Sequence, residues 1–135
     1  MAMDITWGDD AKTLLNVRIH SNVSWDQYHD MCNEAVKLLK SVPHRVDMIF
    51  VAEVDVPSGN PLPHFKRASV QLQSAENLGY CISVVPMNIP LARVFMSLIY
   101  RAYGISSKFQ NVYSLEEAQQ MIADSRAEQA VSQGR

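Results

Sequence analysis

Hydrophobic positions along the chain follow two periods, and the switches between them mark out the elements. Residues 46–54, VDMIFVAEV, carry apolar side chains on both alternating sets: Val46, Met48, Phe50, Ala52 and Val54 on one, Ile49 and Val51 on the other. Such a run predicts a strand covered on both faces. Residues 80–87, YCISVVPM, read the same way. Residues 12–21 alternate more cleanly, with Leu15, Val17 and Ile19 on one face and Leu14, Asn16, Arg18 and His20 on a wetter one. Shorter strands are predicted over residues 4–7 and 108–113. The turn at Gly8, Asp9, Asp10 and Ala11 is short enough to join the first two strands as a hairpin.

Between the strands the period lengthens. Ser24 is a good N-cap, Gln27 completes a capping box, and Val23 and Tyr28 stand where a hydrophobic staple belongs. Trp25, Tyr28, Cys32, Val36 and Leu39 then form one apolar stripe, and Pro43 closes the segment. A second helix is predicted to begin near Pro61 or Pro63, with Phe65, Ala68, Leu72 and Ala75 inward and Gly79 as its C′ residue. A third starts at residues 88–90, buries Leu91, Val94, Phe95, Leu98, Ile99 and Ala102, and stops at Gly104. Ser114 and Glu117 form a second capping box before a helix with Leu115, Ala118 and Ile122 inward. From about Ser125 the chain is polar and reads as a fraying helix end or a disordered tail.

The order is β-β-α-β-α-β-α-β-α. It predicts a single α/β domain over residues 1–124, with a mixed, mostly parallel five-stranded sheet, about four helices, and a polar tail at 125–135. No internal repeat or interdomain linker is visible. Apolar content of 47%, charged content of 19% and a net charge of −2 fit an ordinary globular protein. The basic residues are scattered, so no nucleic-acid partner is expected. No window is apolar for long enough to span a membrane. The opening MAMDITWGDD is acidic and lacks the apolar stretch of a leader, so the expected location is cytoplasmic. Cys32 and Cys81 sit among apolar neighbours and read as small buried hydrophobes of a reducing compartment.

The chemistry-bearing residues gather after the doubly covered strand. Asp55, Ser58, Gly59 and Asn60 lie in a Pro-rich loop, and His64, Lys66 and Arg67 open the next helix. A loop at the carboxyl end of a central strand is where open α/β sheets place their sites. Asp55, Ser58, Gly59, Asn60, His64 and Arg67 are therefore the candidate ligand-binding set, suited to an anion or polar ligand at a helix start. The same composition also describes a solvated turn. Glu53 and Asp55 share a strand face, where they pair with Lys66, Arg67 or solvent, or do acid–base work. His20, His29, His44 and His64 have no metal-ligand spacing, and no metal or other cofactor is expected. Ser58 and His64 make a conceivable nucleophilic pair, but nothing in the sequence orients the histidine. The third helix offers another surface. Met96, Tyr100 and Tyr103, with Arg93 alongside, lie opposite its buried stripe, and these residue types favour a partner interface or a homodimer seam.

Four features together resemble the STAS-like group of small domains, and within it the SpoIIAA-like family, relatives of the bacterial anti-sigma-factor antagonists. They are the hairpin followed by a capped helix opening SWDQY, the strand VDMIFVAEV leading to a Pro-containing loop, the strand CISVVPM before an amphipathic helix, and the closing FQNVYSLEEAQQMI. The resemblance implies a regulatory domain that binds a partner protein without catalysis, switched by phosphorylation of a serine in an Asp-Ser-Ser-Gly motif. Of that motif only Ser58-Gly59 survives, with Val56 and Pro57 separating Asp55 from the serine. The resemblance also permits a small apolar or anionic ligand between the second and third helices. The expectation is a non-enzymatic binding or regulatory domain, working by protein contact or self-association. The alternative is a small α/β enzyme or enzyme subunit using Glu53, Asp55, Ser58 and His64.

Overall fold

The computed structural model describes residues 3–54, 59, 62–84 and 108–133. Strands β1 (Met3–Trp7) and β2 (Leu14–Ile19) form the expected antiparallel hairpin, with Ile5 opposite Val17. Asp9 organises its turn: its carboxylate accepts from the N–H groups of Thr13 at 2.8 Å and Leu14 at 3.1 Å. Helix α1 (Trp25–Lys40) follows, then β3 (Val46–Ala52), α2 (Leu62–Gln73), β4 (Leu78–Val84), β5 (Phe109–Val112) and α3 (Leu115–Gln133). The sheet order is β1-β2-β3-β4-β5, parallel throughout except for the β1–β2 pair. The chain is thus a single α/β domain with a five-stranded mixed sheet, and three helices occur among the described residues. The helix expected over residues 88–104 lies outside them.

Both faces of β3 are covered, as its sequence requires. Val46, Met48 and Phe50 join Leu15, Val17, Cys81 and Phe109 beneath α1 and α2. Ile49 joins Ile82, Val84 and Val112 beneath α3, which contributes Ala118 and Ile122. Among the described residues, two helices on one face and one on the other make a three-layer arrangement.

The α1 capping box is present: Ser24 Oγ accepts from Gln27 N–H at 3.1 Å, and Gln27 Oε1 accepts from Ser24 N–H at 2.9 Å. At α3 the box is displaced by one residue. Ser114 Oγ accepts from Glu117 N–H at 3.2 Å, but Glu117 reaches back to the N–H of Tyr113 at 3.1 Å. Leu115, expected inward, is 40% exposed, because the buried stripe of α3 begins at Ala118. The expected α2 stripe of Phe65, Ala68, Leu72 and Ala75 is buried. Gly79, however, is not the C′ residue of α2. The helix ends at Gln73, and Gly79 is the second residue of β4. β3 ends at Ala52, so Glu53 lies beyond the strand. The helix α3 continues through the polar residues to Gln133.

Candidate functional site

The carboxyl ends of β2 and β3 point toward the starts of α1 and α2, and here the sequence places its candidate site. Gly59 is exposed and takes φ 101°, a left-handed conformation that glycine adopts without strain. Asp55, Ser58 and Asn60 lie outside the described residues, as do Arg93, Met96, Tyr100 and Tyr103 of the expected interface. Glu53 is occupied elsewhere than expected. It pairs with Arg18 of β2, at 2.8 Å from Nε and 3.0 Å from Nη2, on the exposed surface. The Arg18 hydrogen bond holds its carboxyl below the usual range. The expected pairing of Glu53 with Lys66 or Arg67 is therefore replaced by a cross-strand pair, since Arg18 and Glu53 flank the same end of the β2–β3 ladder.

His64 does find partners, and they come from α1. Its Nδ1 lies 2.9 Å from Nε2 of His29, and its ring stacks on Trp25 with centroids 4.3 Å apart and planes within 5°. Phe65 meets Trp25 edge-on at 5.6 Å, and Tyr28 packs edge-on against both Trp25 and Phe65. Five rings thus join the first turns of α1 and α2. A hydrogen bond between two imidazoles needs an N–H on one side and a lone pair on the other, so the contact exists only while one ring accepts. His29 is only 3% exposed. Burial lowers its affinity for a proton; Arg67 and His64 lower it further, against the smaller opposing pull of Asp26 and Asp30. Its Nδ1 is buried with no hydrogen-bond partner among the described residues. Arg67 itself is exposed on α2.

At the opposite, amino-terminal end of the parallel strands a second polar cluster is built around Asp47. This carboxylate is fully buried at the start of β3. Oδ1 accepts from Arg45 Nη2 at 2.9 Å and from Tyr80 N–H at 2.7 Å, and Oδ2 accepts from Arg126 Nε at 3.0 Å. Arg45 also reaches Ser125 Oγ at 3.1 Å and Gln129 Oε1 at 3.0 Å, both on α3. A cleft of about 450 Å³ lies beside this network, lined by Arg45, Glu76, Gly79, Tyr80, Lys108 and Gln129. Arg45 spends its donors on Asp47, Ser125 and Gln129, which makes it a structural tie more than an anion receptor.

A third feature is apolar. Between β1 and α1 runs a groove of about 460 Å³ floored by Met3, Ile5, Met31 and Leu38, with Gln27, Asp30 and Glu34 along its helical wall. Met3 and Ile5 pack onto the main core from this edge without being buried by it. Among the described residues β1 pairs with β2 alone and forms the last strand of the sheet.

The chain matches no family model, no curated protein and no solved structure. No three His, Cys, Asp or Glu side chains among the described residues converge on a metal-sized site. No described helix is long and apolar enough to cross a membrane. Sequence reasoning missed His29 because its partner His64 is 35 residues away, and Asp47 because only Arg45 of its charged partners is near it while Arg126 is 79 residues away. The one signal for Asp47 was an acidic residue inside an otherwise apolar strand, which demands a paired charge.

Proposed function

We propose that this chain is a non-enzymatic binding domain of regulatory type, working through contact with another protein at the β1 edge. The observation that carries this reading is the groove between β1 and α1. Its apolar floor of Met3, Ile5, Met31 and Leu38 adjoins a strand edge that pairs with no other strand among the described residues. An exposed apolar groove rimmed by polar residues is a common mark of a docking surface, and an unpaired strand edge is a template for another chain. The engagement of Glu53 by Arg18 and of His64 by His29 and Trp25 supports the non-catalytic part, because the two described members of the acid–base set are turned to separate tasks. The sequence resemblance to partner-binding STAS-like domains points the same way.

Site-specific photo-crosslinking in cells tests the reading. A photoreactive residue at Gln27, exposed on the groove wall, is expected to give a discrete adduct with another protein. The same residue at Gln73, exposed at the end of α2, is expected to give none. Equal labelling from both positions, or no adduct from Gln27, counts against it.

A further inference from the structure

We infer that the occupant of this groove is an extended basic segment that adds to the sheet as a further strand beside β1, a statement that rests on reading the groove as a binding surface. The backbone geometry comes first. Gly8 N–H donates to Leu14 O at 2.7 Å, and this pair continues the β1–β2 register in which Trp7 faces Leu15. Hydrogen-bonded and non-bonded pairs alternate along an antiparallel ladder. Asp4 and Thr6 therefore turn their backbone groups toward β2, and Met3, Ile5 and Trp7 turn theirs outward. Two of the residues with outward backbone groups, Met3 and Ile5, also line the groove. A strand laid along this edge would bond to the backbone of Met3, Ile5 and Trp7 and set alternate side chains on the groove floor.

The charges select the chemistry of that strand. Asp30 and Glu34 stand on the α1 wall, and Asp4, half-exposed on the other face of β1, keeps a free side toward solvent beside its 3.2 Å contact with His20 Nε2. Among the described residues that line the groove there is no base, and Glu34 is met at 3.3 Å by Lys37 from one turn further along α1. An incoming strand thus meets carboxylates on both of its faces. Lysine or arginine answers both requirements, because its aliphatic stem covers apolar surface while the charged head reaches out to a carboxylate. A second copy of this chain is disfavoured as the occupant. Two β1 strands paired about their own twofold axis would set the two α1 helices on the same face of the joined sheet, with Asp30 and Glu34 of each toward the acids of the other, and like charges repel.

The probe is a fluorescein-labelled peptide of about eight residues alternating lysine and valine, the length of an ordinary strand. It is compared by fluorescence anisotropy with a glutamate–valine peptide and with a lysine–valine peptide N-methylated at alternate residues. The lysine–valine peptide is expected to bind at least roughly tenfold tighter than either. Asp30→Lys with Glu34→Lys, both exposed positions on α1 whose helicity circular dichroism will check, is expected to weaken it by a similar factor. Hydrogen exchange at Met3, Ile5 and Trp7 is expected to slow when it binds. Equal affinity for the acidic peptide, indifference to N-methylation, or protection elsewhere in the chain overturns the inference. If the peptide fails while the Gln27 adduct forms, the inference falls alone. If both fail, the binding reading falls with it.

Discussion

Asp47, without any exposed surface at the start of β3, receives Arg126 of α3 at 3.0 Å from a position 79 residues further along the chain. A carboxylate taken out of water is costly unless every lone pair is answered. Here Arg45, Arg126 and Tyr80 N–H share that task, and Arg126 extends the tie to Thr13 O at 2.8 Å. One buried group thus joins β3, β4, α3 and the β1–β2 turn.

Asp47→Ala leaves two guanidinium groups and a backbone N–H without their acceptor. The expected loss of unfolding free energy is about 3–5 kcal/mol, measured by urea denaturation. Arg126→Ala is expected to cost less, because 39% of that side chain is exposed and water replaces part of the bond. Ending the chain at residue 124 removes Arg126 and Gln129 together and is expected to lower the melting temperature by more than Arg126→Ala does. An Asp47→Ala protein as stable as the wild type would refute this account of the network.

Gly79 is the tightest steric position beside it. A Cβ there would overlap Asp47 Oδ1 and Arg45 Nε, two atoms held in place by the same hydrogen bonds. Gly79→Ala is expected to destabilise the fold by about 1–3 kcal/mol, the usual range for forcing extra volume into a packed site. In an Asp47→Ala background the penalty should shrink, since one of the overlapping groups is gone. A double-mutant cycle gives the comparison.

The histidine pair makes stability depend on pH with a definite sign. Burial lowers the proton affinity of His29 in the folded state from an ordinary value of 6.5, with Arg67 and His64 acting in the same direction and Asp26 and Asp30 opposing. As pH falls, the unfolded chain takes up this proton first, so the contribution is complete above the ordinary value and is lost below it. The stability advantage of the wild type over His29→Gln, which keeps a hydrogen-bonding atom near Nε2, is expected to shrink between about pH 7.5 and pH 5.5. An advantage constant over that window would show that His29 does not titrate differently on folding.

Cys32 on α1 and Cys81 on β4 are both buried in the core between the helices α1 and α2 and the sheet. Burial pushes the Cys32 thiol up to about 12 and raises Cys81 as well. Thiolate is the reactive form, so the native protein is expected to resist iodoacetamide at neutral pH and to take up two labels once unfolded. Rapid labelling of the folded chain at either position would contradict the packing described here.

Much of the fold was legible because its signals are local. The box of Ser24 and Gln27 acts over three residues, and the double coverage of β3 is written in its own alternation. Gly79 misled because glycine suits both a helix end and a close backbone approach. Which role it takes depends on Asp47 and Arg45, which no nearby residue announces. His64 was named for its place after a central strand, but its partner His29 falls outside the stripe expected for α1. The polar residues from Ser125 on looked untethered because their apolar content is low, and their anchor is the Asp47 network, joined by Arg126 directly and by Ser125 and Gln129 through Arg45.

The amino-acid sequence by itself determined the α/β class, the hairpin, the starts of the three described helices and the two-sided burial of β3. Each follows from propensity, capping or hydrophobic period over a few neighbouring residues. Only the tertiary structure decided which polar groups meet: Asp47 with Arg45 and Arg126, His29 with His64, Glu53 with Arg18. It alone also decided that β1 stands at the edge of the sheet with an apolar groove beside it. The reason is physical. Period and propensity act along the chain, but the pairing of buried charges and the exposure of an edge depend on how distant segments are laid side by side.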